Sequence, residues 1–227
     1  MRCIEEIRYI CRKKKTRMKS ALIYIGVLLS VCACRSEEFP LRTGDLLFQV
    51  NEPSEMTEAI TDATAPHDRH KISHVAIFQQ AGDRRLVIEA TGRGGVRKVT
   101  LEEFLRSSAR IEGRPGVLAM RVRAEFPVGE AIRRAEVHLG EPYDYSYLPD
   151  NGRMYCSELV YESYRREDGT PLFTARPMNF RNAEGELPDF WIELFEQLGE
   201  PIPEGIPGTN PADMAKEPVL EEVYRYF

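Results

Sequence analysis

Apolar positions along this chain recur in two rhythms, and the changes between them mark out short strands and short helices. Leu46-Leu47-Phe48 follows the turn Thr43-Gly44-Asp45 and reads as a first strand. Glu55 to Ala65 carries a weak helical period that Pro66 ends. Ile72 to Phe78 alternates and is β-branched and aromatic, so it is predicted as a strand. AGDRR supplies a turn, and Arg85 to Ala90 returns as the second arm of a hairpin. Gly92, Gly94 and Gly95 then form a tight turn into Val96–Val99. They are turn chemistry rather than a phosphate cradle, since no lysine-serine pair or long helix follows.

Thr100, with Glu103 three residues on, is a capping box that opens a helix. Val117–Val122 is another strand, and Val128–Leu139 an amphipathic helix closed by Gly140. The stretch GEPYDYSYLPDNGRM, with two prolines and an Asn-Gly pair, cannot continue a helix. After it, Cys156, Leu159, Val160, Ser163 and Tyr164 share one helical face. Pro188–Leu198 places Trp191, Leu194, Phe195 and Leu198 on one stripe, read as core packing, and Gly199 stops it. The tail from Pro201 to Pro218 is rich in Pro and Gly and is expected to wrap the surface before a short apolar segment at Val219–Phe227. With no internal repeat and no composition break after residue 40, the pattern predicts one α+β domain of strands with helices packed on one side.

The first 34 residues follow a different logic. CRKKKTRMK precedes the apolar run ALIYIGVLLSV, which is too short to cross about 30 Å of hydrocarbon and reads as a signal peptide. Val31-Cys32-Ala33-Cys34 resembles the lipidation site of bacterial lipoproteins, which makes Cys34 the lipid-bearing first residue and 35–227 the exported domain. A plain cleaved signal peptide or a single span are the alternatives, and Met18 offers a more compact start than Met1. The acidic pair Glu37-Glu38 resembles the tether of lipoproteins on the outer membrane's outer face. A net charge of −5 gives no reason to expect nucleic acid.

Export gives the cysteines their meaning. Cys3, Cys11 and Cys32 leave with the leader and Cys34 is acylated, so Cys156 has no disulfide partner in the chain. A lone thiol outside the cytoplasm is a liability unless it is buried or used. Cys156 falls on the first turn of its helix, where unpaired N–H groups and the helix dipole stabilise a thiolate. It is equally compatible with a small buried hydrophobe. A thiol nucleophile needs a base and a group to orient that base. Of the four histidines, only His74 sits in a well-defined strand. His138 lies near a helix end among arginines and reads as a solvated residue. Glu89, between apolar neighbours on the return strand, is either the orienting carboxylate or a strand-end residue reaching water. His67, His70 and His74 superficially resemble zinc spacing, but a loop-to-strand path makes them diverge, so no metal is expected. No G-x-S-x-G elbow is present.

Two blocks carry a resemblance. SHVAIFQQAGDRRLVIEA resembles the histidine strand, and LGEPYDYSYLPDNGRMYCSELV the cysteine block, of the NlpC superfamily of papain-like cell-wall hydrolases. The order, His74 before Cys156, is that of the circularly permuted branch with the YiiX-like amidases and, more distantly, lecithin retinol acyltransferase. The resemblance spans roughly 43–165, with an echo at GIPGTNPADM. It implies a permuted papain-like fold in which an antiparallel sheet or half-barrel packs against helices, with the nucleophile at a helix N-terminus. It further implies Cys156 as nucleophile, His74 as base, Glu89 as the orienting group and Tyr143 as an oxyanion or substrate contact. Tyr155 and Glu158 depart from the family's aspartate and glycine, so its peptide specificity does not carry over.

The expectation is therefore a cofactor-free thiol hydrolase, lipid-anchored at the cell envelope and monomeric, that cleaves an amide bond in a cell-wall peptide or a lipid or acyl amide. An acyltransferase of the same fold and a non-catalytic binding lipoprotein are the alternatives. A charged pocket end favours peptides and an apolar tunnel favours acyl chains.

Overall fold

The computed structural model describes residues 39–64 and 67–227. The signal peptide over 1–34, the start at Met1 or Met18 and the lipid site at Cys34 lie outside the described residues. Among those described, no helix is long and apolar enough to cross a membrane.

Six strands form one antiparallel sheet: β1 (Leu46–Gln49), β2 (His74–Ala81), β3 (Arg84–Thr91), β4 (Gly95–Thr100), β7 (Val117–Val122) and β10 (Leu220–Arg225), in the order β10-β7-β1-β2-β3-β4. Two small ribbons, β5 (Arg110–Ile111) with β6 (Arg114–Pro115) and β8 (Arg176–Pro177) with β9 (Pro207–Gly208), lie outside it. The central strands are buried on both faces, so they read as apolar runs more than as alternation. On one face Leu46, Phe48, Val75, Ile77, Ile88 and Leu118 join Leu159, Val160, Tyr164, Trp191 and Phe195 in the main core. Burying each such side chain contributes about 1.5–3 kcal/mol.

The helices are α1 (Glu55–Asp62), α2 (Leu101–Arg106), α3 (Val128–Val137), α4 (Cys156–Ser163), α5 (Asp189–Leu198) and α6 (Pro211–Met214). Their ends follow the local chemistry. The Ser54 and Thr100 hydroxyls accept from the N–H groups of Thr57 and Glu103, and Gly199 ends α5 at φ 68°. The helices do not all lie on one side as the pattern predicted. Phe104 of α2 belongs to the face of Gln49 and His74: Gln49 Nε2 donates to the Phe104 carbonyl, and the rings of Phe104 and His74 lie 6.1 Å apart.

The tail also differs from expectation. Val219–Phe227 is not a loose apolar end, because β10 pairs along β7 and forms the sheet edge. The segment before it folds into β9 and α6, and the Asn210 side chain accepts from Ala212 N–H to start that last helix. Charged side chains at Glu221, Glu222 and Arg225 keep the new edge from templating further pairing.

Candidate active site

Two strands and one helix converge on Cys156. His74 is the first residue of β2, and the register of the β2–β3 hairpin, Ile77 opposite Ile88, puts His74 and Glu89 together on the other face. Their side chains meet at 2.9 Å, His74 Nε2 to Glu89 Oε2, both almost wholly buried. The β3–β4 register places Arg97 directly opposite Glu89. Its Nε and Nη2 donate to Glu89 Oε1 at 3.0 and 2.9 Å, which leaves Oε2 to the histidine. Glu89 is thus a buried, fully engaged carboxylate and not a strand-end residue reaching water. Burial works to raise its pKa, but His74 and Arg97 outweigh it and the carboxyl stays below its ordinary range.

Cys156 is the first residue of α4, is 5% exposed, and hydrogen-bonds His74. Since Nε2 of the ring serves Glu89, Nδ1 is the nitrogen left for the thiol. Burial pulls the imidazole pKa down, yet the bonds and charges of Cys156 and Glu89 push it up to about 10. The arrangement favours a proton on the ring beside the sulfur of Cys156. The fixed N–H groups of the α4 first turn point the same way.

The loop before α4 is cross-linked to it. Asp144 N–H donates to Met154 O, Met154 N–H donates to Pro142 O, and the Asp144 carboxylate accepts from Ser146 and Leu148 N–H. This carries Tyr143 beside Cys156. Burial, first, and the neighbouring Tyr147 and Cys156 raise the Tyr143 pKa, so its phenol remains a neutral donor. Gly95, at φ +59°, lets β4 touch this loop: Val96 N–H bonds Glu141 O at 2.9 Å, and a Cβ on Gly95 would strike that carbonyl.

Two spaces open on the site and differ in character. Beside Cys156 lies a narrow cavity of about 40 Å³, room for a few waters, lined by Tyr143, Tyr147, Tyr155, Met178, Phe180 and Trp191 with no charged side chain. Beside His74 lies an open cleft of about 480 Å³ that includes Gln49, Asn51, Glu52, Glu89, Arg93 and Arg97. Tyr143 borders both.

The other histidines are elsewhere. His67 and His70 exchange backbone hydrogen bonds across a turn, and His70 packs its ring on Phe227 at 4.7 Å. His138 is not simply solvated: its Nδ1 meets Glu141 Oε2 at 2.9 Å. Among the described residues, no three His, Cys, Asp or Glu side chains gather where they could hold a metal ion.

Sequence reading did not find Arg97, or the tail residues Thr209 and Asn210 that close the cavity against Tyr155. The glycine turn was the signal for Arg97, because the hairpin it closes sets position 97 opposite 89.

An antiparallel sheet with a cysteine-headed helix against a histidine strand that precedes it in the chain is the arrangement of a permuted papain-like protein. Residues 40–224 match the model of the C92 family, described as permuted papain-like amidase enzymes of the YaeF/YiiX type, and the chain belongs to that family. A curated relative, the uncharacterized protein YiiX of Escherichia coli K12, is 26% identical over 193 residues, 82% of this chain and 86% of its own. The crystal structure of yiiX from Escherichia coli O157:H7, described as a metalloprotein, superposes with a TM-score of 0.65 at 24% identity, covering 83% of this chain and 98% of that one.

Proposed function

We propose that the protein is a cysteine amidase in which Cys156 is the nucleophile, His74 the proton carrier and Glu89 the group that orients it. One observation carries the reading: a chain of contacts starts at the half-exposed Arg97 and runs through the buried Glu89 and His74 to a thiol at a helix start. In the proposed cycle the Cys156 thiolate attacks the amide carbonyl carbon and forms a C–S bond. The oxyanion is held by the Cys156 N–H and the Tyr143 phenol. His74 passes its proton to the amide nitrogen, the C–N bond breaks and the amine leaves. Water, deprotonated by His74, then attacks the thioester; the acid departs, and thiol and imidazole share the returned proton.

Of the two substrate classes, the uncharged aromatic wall beside Cys156 favours an acyl amide over a charged cell-wall peptide. The space takes the carbons nearest the carbonyl of an apolar acyl group, and the amine lies toward the polar cleft. Domain 35–227 works as one hydrolase unit, exported and tethered to the cell envelope through lipid on Cys34. It acts as a monomer, with no nucleic acid partner. The E. coli relative is described as a metalloprotein, but the donor set of this chain does not fit a metal, because His74, Cys156 and Glu89 are committed to one another and to Arg97. No step is routed through one.

The test uses chromogenic anilides bearing an octanoyl group or a dipeptide, with mass spectrometry of the quenched protein. Release of aniline and a mass gain equal to the acyl group on Cys156, both lost in Cys156→Ala, are expected, with octanoyl preferred. Neither acyl-enzyme nor turnover with any anilide overturns the reading.

A further inference from the structure

The wall beside Cys156 is uncharged but not free of polar groups, and two of them have nothing to bond. Trp191 is 2% exposed, and its indole N–H has no hydrogen-bond partner among the described residues. An indole N–H donates and cannot accept, so only an acceptor brought to it removes the cost of burying it. The rings of Tyr147, Phe180 and Phe190 stand edge-on to Trp191 at 5.6, 5.1 and 5.0 Å and offer at most the weak acceptor of a π-face. Ser157, the residue after the nucleophile, is completely buried, and its hydroxyl is likewise unpaired. A helical serine ordinarily bonds the carbonyl three or four residues back, but for the second residue of α4 those residues, Met154 and Arg153, belong to the loop. Trp191 and Ser157 line the same cavity of about 40 Å³ as Cys156. Tyr147 and Thr209 share that wall, but each has another hydroxyl beside it, on Tyr143 and Tyr155 respectively.

Buried polar groups without partners are rare in folded proteins, and two beside one thiol mark a place where a ligand supplies what the chain does not. Resting on the amidase reading, we propose that this cavity selects an acyl group carrying an uncharged oxygen, a hydroxyl or a carbonyl, on one of the carbons close to the scissile amide. Trp191 Nε1 donates to that oxygen, and the Ser157 hydroxyl donates to it or accepts from it. The oxygen is neutral because no cation lines the cavity to balance a carboxylate. It lies near the reacting carbonyl because a space of about 40 Å³ holds only a few atoms beyond the sulfur. A plain alkyl chain fills the same space and leaves both groups unpaired, and a pocket built to hydrogen-bond rejects such an analogue far better than it rejects a change of length.

The experiment compares the full chain, W191F and S157A on octanoyl anilide and on octanoyl anilides bearing a hydroxyl or keto oxygen on successive carbons from the one next to the carbonyl. In wild type one oxygenated member is expected to exceed octanoyl in kcat/KM by about tenfold, the size of one or two hydrogen bonds to groups otherwise left unpaired. Phe keeps an aromatic ring and removes the N–H, so in W191F that ratio falls to about one, and S157A lowers it in part. A second readout needs no turnover. Trp191 is the only tryptophan in the sequence, and indole emission moves to longer wavelength when its N–H gains an acceptor. Cys156→Ala titrated with the preferred oxygenated octanamide is expected to show that move, and octanamide is not. Three results overturn the oxygen's role and leave the amidase reading standing on octanoyl turnover: no oxygenated member outpaces octanoyl, as when water alone serves the two groups; the preference survives in both W191F and S157A; or emission moves alike with both amides. Neither turnover nor acyl-enzyme with any member of the series overturns the amidase reading as well.

Discussion

The two spaces that meet at Tyr143 are built from opposite materials. On the Cys156 side, five aromatic rings and Met178 make a narrow wall with no charge. On the His74 side, a wide cleft carries glutamates, arginines and amides. Cys156 and His74 sit on the seam, and in the proposed cycle the low-dielectric wall would strengthen their interaction while the wet cleft would supply and remove protons. For the acyl amide proposed above, the difference would set a direction: the acyl part gains by leaving water, and the amine gains by staying in it.

That contrast can be broken at several points. Cys156→Ala and His74→Ala cut it at the seam, and each is expected to lower anilide turnover by at least about a thousandfold, within the range of positioned acid–base and nucleophilic groups. Far-ultraviolet circular dichroism should be unchanged, and full activity in either variant would dismiss the assignment. Glu89→Gln keeps the hydrogen-bond shape but removes the charge that holds the ring, and a loss of about a hundredfold is expected. An unchanged rate leaves Glu89 with a structural role only.

Trp191→Ala empties the apolar side. Trp191 is 2% exposed and lies edge-on to Tyr147 and Phe180 at 5.6 and 5.1 Å. Its removal should cost about 3–5 kcal/mol in urea unfolding and raise KM for octanoyl more than for dipeptide anilides. Equal effects on the two substrates would detach the cavity from specificity. Glu158 has a pH-bound effect on stability. Its folded pKa, about 8 against an ordinary 4.5, is raised, so its contribution is full below pH 4.5 and is lost as pH rises through 8. Unfolding free energy of wild type should therefore fall across pH 4.5–8 by a few kcal/mol, on the order of 1.4 per pKa unit, relative to E158Q. Parallel curves would mean an ordinary carboxyl. Least of all, Arg97→Gln should slow turnover by no more than about fivefold, because a guanidinium 42% exposed is screened by water.

Legibility in the sequence tracks the range of the forces involved. The β2–β3 hairpin and the α4 start were readable because β-branched apolar runs, a short turn and a loop that cannot be helical are local signals. His74 stood out for the same reason, as a polar residue at the head of a well-patterned strand. Arg97 did not, since its role depends on register across the Gly92–Gly95 turn, which brings it opposite Glu89. The tail was misread because proline and glycine dominate its local pattern, while β10 is stabilised by pairing with β7, about a hundred residues earlier.

By itself the sequence determined which chemistry was on offer: one thiol at a helix head, one strand histidine, one carboxylate framed by apolar neighbours. Spacing and local propensity suffice for that, since they act over a few residues. Only the tertiary structure decided that the carboxylate is sealed against the histidine, that an arginine holds its other oxygen, and that aromatic residues of the 143–155 loop join Phe180 and Trp191 to wall the thiol without a charge. Those are consequences of burial and register, which arise when remote parts of the chain exclude water together.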